Sequence, residues 1–195
     1  TGACNFSCKY CYSKDKLDIL VMTKDLARKA VDEFILLSRY RKRDIEGKSR
    51  DIVITFWGGE PFLNFEVMAD VVGYVVEKYG KEFLGFPIKF FASTNGSREV
   101  LSDEVVAFLK LYKDIFSLQV SIDGERVSQD LNRVLHDGSE SFLSVISSVK
   151  RLLEEGICVA GKITYDKKTV RLLADNICYL WSLGIDYVMA TAVQE

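Results

Sequence analysis

Three cysteines crowd into the start of the chain: Cys4, Cys8 and Cys11, in a C-x3-C-x2-C run. Thiolates are the soft ligands that iron–sulfur clusters and zinc prefer, so the run reads as a metal site. Three thiolates are one short of closing a tetrahedral zinc or a cubane cluster, and spacing does not choose between the two metals. The fourth position falls to Cys158, Cys178, water or a ligand. Cys158 begins an apolar stretch and Cys178 lies beside apolar neighbours, so both are expected to be small buried hydrophobes. An open coordination position marks a working metal rather than a structural one.

Three further loops carry polar groups that suit a small ligand. Trp57-Gly58-Gly59-Glu60-Pro61 ends a short apolar run. Its paired glycines let the backbone approach a ligand closely, and the Glu60 carboxylate suits an ammonium. Ser93-Thr94-Asn95-Gly96 follows a second apolar run. In Ser121-Ile122-Asp123-Gly124 the hydroxyl and the carboxylate alternate with Ile122, so both point from one strand face, as the hydroxyls of a ribose require. Taken singly, each loop also reads as an ordinary Gly-containing turn. Arg133 can clamp a carboxylate with its guanidinium fork. The lone histidine, His136, is expected in a surface loop.

Such groups work only if a scaffold gathers them. Thr23 can cap a helix with Leu26, Ala30, Phe34 and Leu37 as its apolar stripe, ended by the polar run Asp44 to Lys48. Ile52 to Trp57 looks like a strand buried on both faces. A helix from Asn64 turns Met68, Val71, Val72, Val75 and Tyr79 inward, and Gly85-Phe86-Pro87 breaks the chain before a strand at Ile88 to Ser93. Ser102 caps the next helix, and Phe116 to Ile122 reads as a strand. Phe142 to Leu153 is the cleanest amphipathic stripe, stopped by Gly156. Strand Ile157 to Thr164, a helix from Thr169 to Gly184 and strand Tyr187 to Ala192 complete the order.

Strict alternation with right-handed crossovers makes a parallel sheet with helices outside. The first helix lacks a preceding strand, so one is expected upstream of Thr1, giving six βα steps over one domain, residues 1–195. In parallel α/β folds the loops leaving the strand C-termini build the site, and all four chemical features fall on that rim.

With 195 residues, 48% of them hydrophobic, the chain can bury a sizeable core. A formal charge of −2 offers no footprint for nucleic acid or an anionic membrane. No apolar run approaches a membrane span, no signal-peptide pattern opens the chain, and an odd cysteine count fits a reducing cytoplasm.

This constellation resembles the radical S-adenosylmethionine (radical SAM) superfamily. Cys4, Cys8 and Cys11, with Tyr10 at the aromatic place, match its cysteine motif, and Gly58-Gly59-Glu60-Pro61 its GGEP loop. Ser93 to Gly96 and Ser121 to Gly124 match its third- and fourth-strand motifs. Asp130-x-x-Arg133 followed by Gly138 to Phe142 is similar to anaerobic sulfatase-maturating enzymes and SPASM/twitch-type peptide maturases. The resemblance implies a (β/α)6 partial TIM barrel and a [4Fe–4S] cluster on the three cysteines, with SAM chelating the unique iron. It implies that Glu60 and the Gly58–Gly59 backbone hold the SAM ammonium, Arg133 its carboxylate, and Ser121 with Asp123 its ribose. Ser93 and Asn95 join the cofactor contacts, and Tyr10, Val159 or Ile163 flank adenine.

The implied chemistry is reductive SAM cleavage to a 5′-deoxyadenosyl radical that abstracts hydrogen from a peptide or protein. A low-potential flavodoxin- or ferredoxin-type donor would supply the electron. Thioether or carbon–carbon crosslinking stands first, ahead of formylglycine formation or a small-molecule cofactor pathway. Two departures bear on the subfamily: Glu125 follows Gly124 where relatives often carry Pro, and Gln129 stands at their His place. The competing classes are a non-enzymatic zinc or iron–sulfur module and a nucleotide-binding domain with incidental cysteines.

Overall fold

The computed structural model describes residues 1–13, 20–40 and 51–193. The segment Asp44 to Lys48, expected to end the first helix, lies outside them. Helix α1 spans Lys24–Leu37, capped by the Thr23 hydroxyl, which accepts from the Leu26 N–H. It is followed by β1 (Ile52–Phe56), α2 (Phe65–Tyr79), β2 (Glu82–Phe83), β3 (Phe86–Thr94), α3 (Asp103–Leu111), β4 (Phe116–Ser121) and α4 (Arg126–Asn132). Then come α5 (Phe142–Glu154), β5 (Val159–Tyr165), α6 (Leu173–Ser182) and β6 (Tyr187–Ala192).

The long strands pair in the order β1-β3-β4-β5-β6, every pair parallel, and β2 adds an antiparallel partner to β3. Among the described residues β1 and β6 do not pair, so the sheet is an open, partial barrel. Period-2 alternation gives it two unlike faces. Ile54, Phe90, Leu118, Gly161 and Ile163 face the helices, where Val71, Val72, Val75, Val105, Leu109, Val149, Leu152 and Leu180 cover them. The registers place Thr55, Phe91, Ser93, Gln119, Ser121, Lys162, Met189 and Thr191 together on the opposite, concave face. That face is far more polar than the helix-facing one.

Three local expectations are corrected. The first helix buries Ala27 and Ile35, and leaves Leu26, Phe34 and Leu37 exposed. Two apolar stripes compete on this helix, and contacts to α2 select between them. Arg28 forms a forked pair with Asp70 at 2.8 and 2.6 Å, and Asp32 accepts from Tyr74, Tyr79 and Lys78. Second, Phe86 and Pro87 do not precede a strand but begin β3, after a two-residue hairpin turn at Leu84-Gly85. Both turn residues have positive φ, 54° and 81°, the geometry that matches strand twist but normally recruits Asn or Gly rather than Leu. Third, Cys158 and Cys178 are exposed, not core. Cys158 alternates with buried Ile157 and Val159, so its side chain takes the opposite direction.

Candidate active site

The three-cysteine loop is held by backbone bonds on both flanks. Thr1 and Ala3 carbonyls accept from the Gly59 and Glu60 N–H groups at 3.0 and 2.8 Å. On the other side the Ser7 and Lys9 N–H groups donate to Val134 and Asn132 at 2.8 and 2.9 Å, and Phe6 bridges Leu135. His136 Nε2 meets the Cys4 carbonyl at 2.6 Å. The paired glycines therefore have a first use that the sequence does not display. A Cβ at Gly58 would strike the Thr1 carbonyl oxygen, and one at Gly59 the carbonyls of Gly2 and Ala3.

Cys4, Cys8 and Cys11 line a cavity of about 680 Å³ at the C-terminal ends of the strands. Burial pushes the Cys8 thiol up to about 11, helped by the neighbouring thiols Cys4 and Cys11 and opposed by Arg133. Cys4 is raised by burial as well. Thiols this reluctant to ionise alone are stabilised as thiolates by a bound metal. Cys158 lies just before β5, at the end of that strand away from the cavity, and Cys178 lies on the exposed side of α6. Neither lines the cavity, so neither is placed to supply the fourth ligand.

Gly58, Gly59, Ser93, Asn95, Ser121, Arg133 and Tyr10 line the same cavity. Two expected contacts do not. Glu60 is fully buried: Oε1 accepts from the Phe62 N–H at 3.1 Å and the Thr94 hydroxyl at 2.9 Å, and Oε2 from the Asn95 N–H at 2.7 Å. Burial outweighs these bonds and raises its pKa to about 7. Its carboxylate ties the loop after β1 to the loop after β3. Asp123 is also buried: Oδ1 pairs with Arg133 Nη2 at 3.0 Å and accepts from the Thr164 N–H at 2.8 Å, while the Tyr10 hydroxyl donates to Oδ2. Asp123 is therefore spent on protein groups.

Asn95 mixes both behaviours. It lines the cavity, yet its amide donates to Asn5 Oδ1 at 2.6 Å and accepts from the Ser97 N–H at 2.9 Å, fixing the loop between the first two cysteines. Val159 and Ile163 face the helices and are buried there, so the strand-five residues on the cavity side are Lys162 and Thr164.

Arg133 is the sharpest feature. A loop arginine is ordinarily solvated, but this one is buried, with its guanidinium carbon 5.3 Å from the Tyr10 ring centroid and Nη2 3.3 Å from the Thr164 hydroxyl. Burial works against its charge, and Asp123 more than compensates, so it stays protonated. Its Nε has no hydrogen-bond partner among the described residues. A buried, unsatisfied cationic donor beside a cavity is costly unless an acceptor binds there. Gln129, also buried, links this wall to α5. Its Oε1 accepts from the Asp123 N–H and its amide donates to Ser141, whose hydroxyl donates to the Arg133 carbonyl. The Glu125 N–H donates to Asn176 Oδ1 at 3.0 Å, a bond proline could not make.

Comparison with known proteins decides the family. The pattern that defines the radical SAM superfamily matches residues 1–168. The chain belongs to the radical SAM superfamily. It is 27% identical over 189 residues to the uncharacterized protein MJ0907 of Methanocaldococcus jannaschii, covering 95% of this chain and 57% of that protein. It is 26% identical over 189 residues to the radical SAM cyclopropyl synthase TigE of Paramaledivibacter caminithermalis, covering 91% and 36%. This chain thus spans little more than half of one relative and about a third of the other.

Among solved structures, anSMEcpe with bound AdoMet and the Kp18Cys peptide superposes over all of this chain and 49% of its own, with TM-score 0.83 and 18% identity. Streptococcus suis SuiB bound to its precursor peptide SuiA does so over 38% of its chain, with TM-score 0.69 and 16% identity. These likenesses bear on the fold. Membership of the superfamily makes the protein an enzyme whose cofactors are a [4Fe–4S] cluster and SAM, which removes the non-enzymatic module from consideration. The residues present suit that pair in kind, with three thiols and a buried arginine lining one cavity, although among the described residues no three Cys, His, Asp or Glu side chains are gathered closely enough to hold a metal ion.

Proposed function

We propose that this chain is the catalytic core of a peptide- or protein-modifying radical SAM enzyme in which Cys4, Cys8 and Cys11 hold the cluster. When bound, the cluster supplies the low-potential electron that splits SAM and yields a 5′-deoxyadenosyl radical, and an external donor of flavodoxin or ferredoxin type replenishes it. Every other task falls to the chain. Arg133 holds the carboxylate of the SAM methionine moiety through its guanidinium, while Asp123 and Tyr10 keep that group charged and immobile. The Gly58–Gly59 backbone receives the ammonium, and Glu60 sets the course of that loop from behind. Ser121 takes the ribose, and Ser93 and Thr164 complete the wall. Holding SAM beside its electron donor replaces diffusion by positioning. A walled cavity also keeps water and unrelated C–H bonds from so reactive a species.

The observation that carries this reading is the single cavity shared by three thiols and the unsatisfied Arg133. A peptide substrate is supported by the architecture shared with anSMEcpe and SuiB, both crystallised with peptides. Crosslink formation is the first chemistry to test, with formylglycine formation and small-molecule cofactor synthesis behind it. No helix among the described residues is long and apolar enough to cross a membrane, and we place the enzyme in the cytoplasm, where thiols stay reduced. The test is isotopic: the full-length enzyme is reduced with SAM and each member of a library of perdeuterated peptides. Deuterium in the 5′-deoxyadenosine establishes hydrogen abstraction from that peptide, and unlabelled product with an unmodified peptide rejects it.

A further inference from the structure

The SAM-binding assignment leaves one charged group in the cavity without a task. Lys162 lies in the middle of β5 on the concave face, in register with Ser121 on one side and Met189 on the other. Its Nζ sits 5.7 Å from the centroid of the Trp57 ring, which is itself 54% exposed. Two walls of the barrel mouth therefore meet at this pair, one at the end of β1 and one on β5.

The electrostatics of the cavity make this lysine unusual. Arg133 and Lys162 both line it, and among the described residues no carboxylate does. Asp123 lies behind Arg133, buried and already paired with it. Lys162 makes no ion pair with any described residue. A cation over an aromatic face gains about 0.5–1 kcal/mol at an exposed site, which holds the ammonium in place without neutralising it. On the strand beside Ser121, a lone ammonium in a polar, partly enclosed site is suited to an anion that arrives from outside. Trp57 adds a broad apolar plate against which a side-chain stem or a peptide unit can lie.

We infer that Lys162 and Trp57 form a recognition site for a carboxylate side chain of the substrate. An Asp or Glu would be held by the ammonium while its chain rests on the indole, placing neighbouring C–H bonds in the cavity. This inference rests on the peptide reading above and narrows it to an acidic sequence. Lys162 here determines specificity; it carries no part of SAM cleavage.

The test uses the full-length, cluster-loaded enzyme without oxygen, with SAM present and reductant omitted so that nothing turns over. The probes are dye-labelled, end-capped peptides that differ only in a central Glu, Asp or Gln, read by fluorescence anisotropy. The acidic peptides are expected to bind about tenfold more tightly than the Gln peptide. Lys162→Gln should bring that ratio to within about twofold while leaving SAM affinity unchanged, and Lys162→Arg should keep most of it. Equal binding of acidic and neutral peptides by the unaltered enzyme overturns the inference. So does a Lys162→Gln variant that loses SAM and keeps its peptide preference. N-acetylglutamate amide separates the two readings: if it binds in a Lys162-dependent way while no peptide does, the acid site stands and the peptide substrate falls. If neither binds, the acid site falls.

Discussion

Arg133 and Asp123 form an ion pair at 3.0 Å between two buried side chains, and that pair backs one wall of the cavity that the three cysteines share. The resemblance offers Asp123 to a ribose; in the structure both of its carboxylate oxygens are engaged by protein groups, and it orients Arg133, which lines the cavity.

Removing one partner of a buried pair leaves the other charged and uncompensated. Asp123→Asn should therefore lower unfolding stability by about 3–5 kcal/mol. Pairing it with Arg133→Met should recover part of that loss, because the orphaned charge is gone. Urea unfolding of the single and double variants checks this, and a single-variant loss below about 1 kcal/mol would show that the pair is not desolvated.

At Gly59 the constraint is steric. An added methyl group meets the Gly2 and Ala3 carbonyls, which lie on the segment leading into Cys4. Gly59→Ala should thus displace the cysteine loop and reduce bound iron and sulfide severalfold. Gly73→Ala is the control, since a Cβ there meets nothing within 4 Å. It should keep full iron content and gain about 0.5–1 kcal/mol of helix stability. Equal iron content in both variants would contradict the packing role.

Glu60 supplies a pH dependence. Its carboxyl titrates near 7 in the folded protein against an ordinary 4.5. Between these values the unfolded chain has lost the proton and the folded one keeps it, so this group makes stability fall as pH rises through that window and level off above 7. The full fall is about 3 kcal/mol. Urea midpoints of the cluster-free protein across this range should carry the slope, and Glu60→Gln should remove it. An unaltered slope in the variant would remove Glu60 as its source.

Much of this was legible beforehand, for physical reasons. Strands buried on their helix side announce themselves as apolar runs, so five parallel strands and the rim that carries the motifs follow from order alone. The cysteine loop and Arg133 are marked by residue type. Periodicity ranks faces by apolarity, however, and α1 carries two comparable stripes; the choice fell to Arg28–Asp70 and the bonds to Asp32, which are contacts distant in sequence. Glu60 and Asp123 show the same limit. A carboxylate in a motif signals that it binds something, and here the partners are Thr94, Asn95, Tyr10 and Arg133. Lys162 and Thr164 belong to no motif, and only their alternation with Gly161 and Ile163 marks a polar strand face.

The proposed centre is a cluster with three protein ligands and one iron open to SAM. The direct measurement is electron–nuclear double resonance on the reduced, cluster-loaded enzyme with SAM carrying 17O in its carboxylate and 15N in its amino group. Strong coupling of both nuclei to the cluster is predicted, retained when Cys158 and Cys178 are both changed to Ser. A cluster that shows neither coupling, or that is lost in that double variant, would contradict the account.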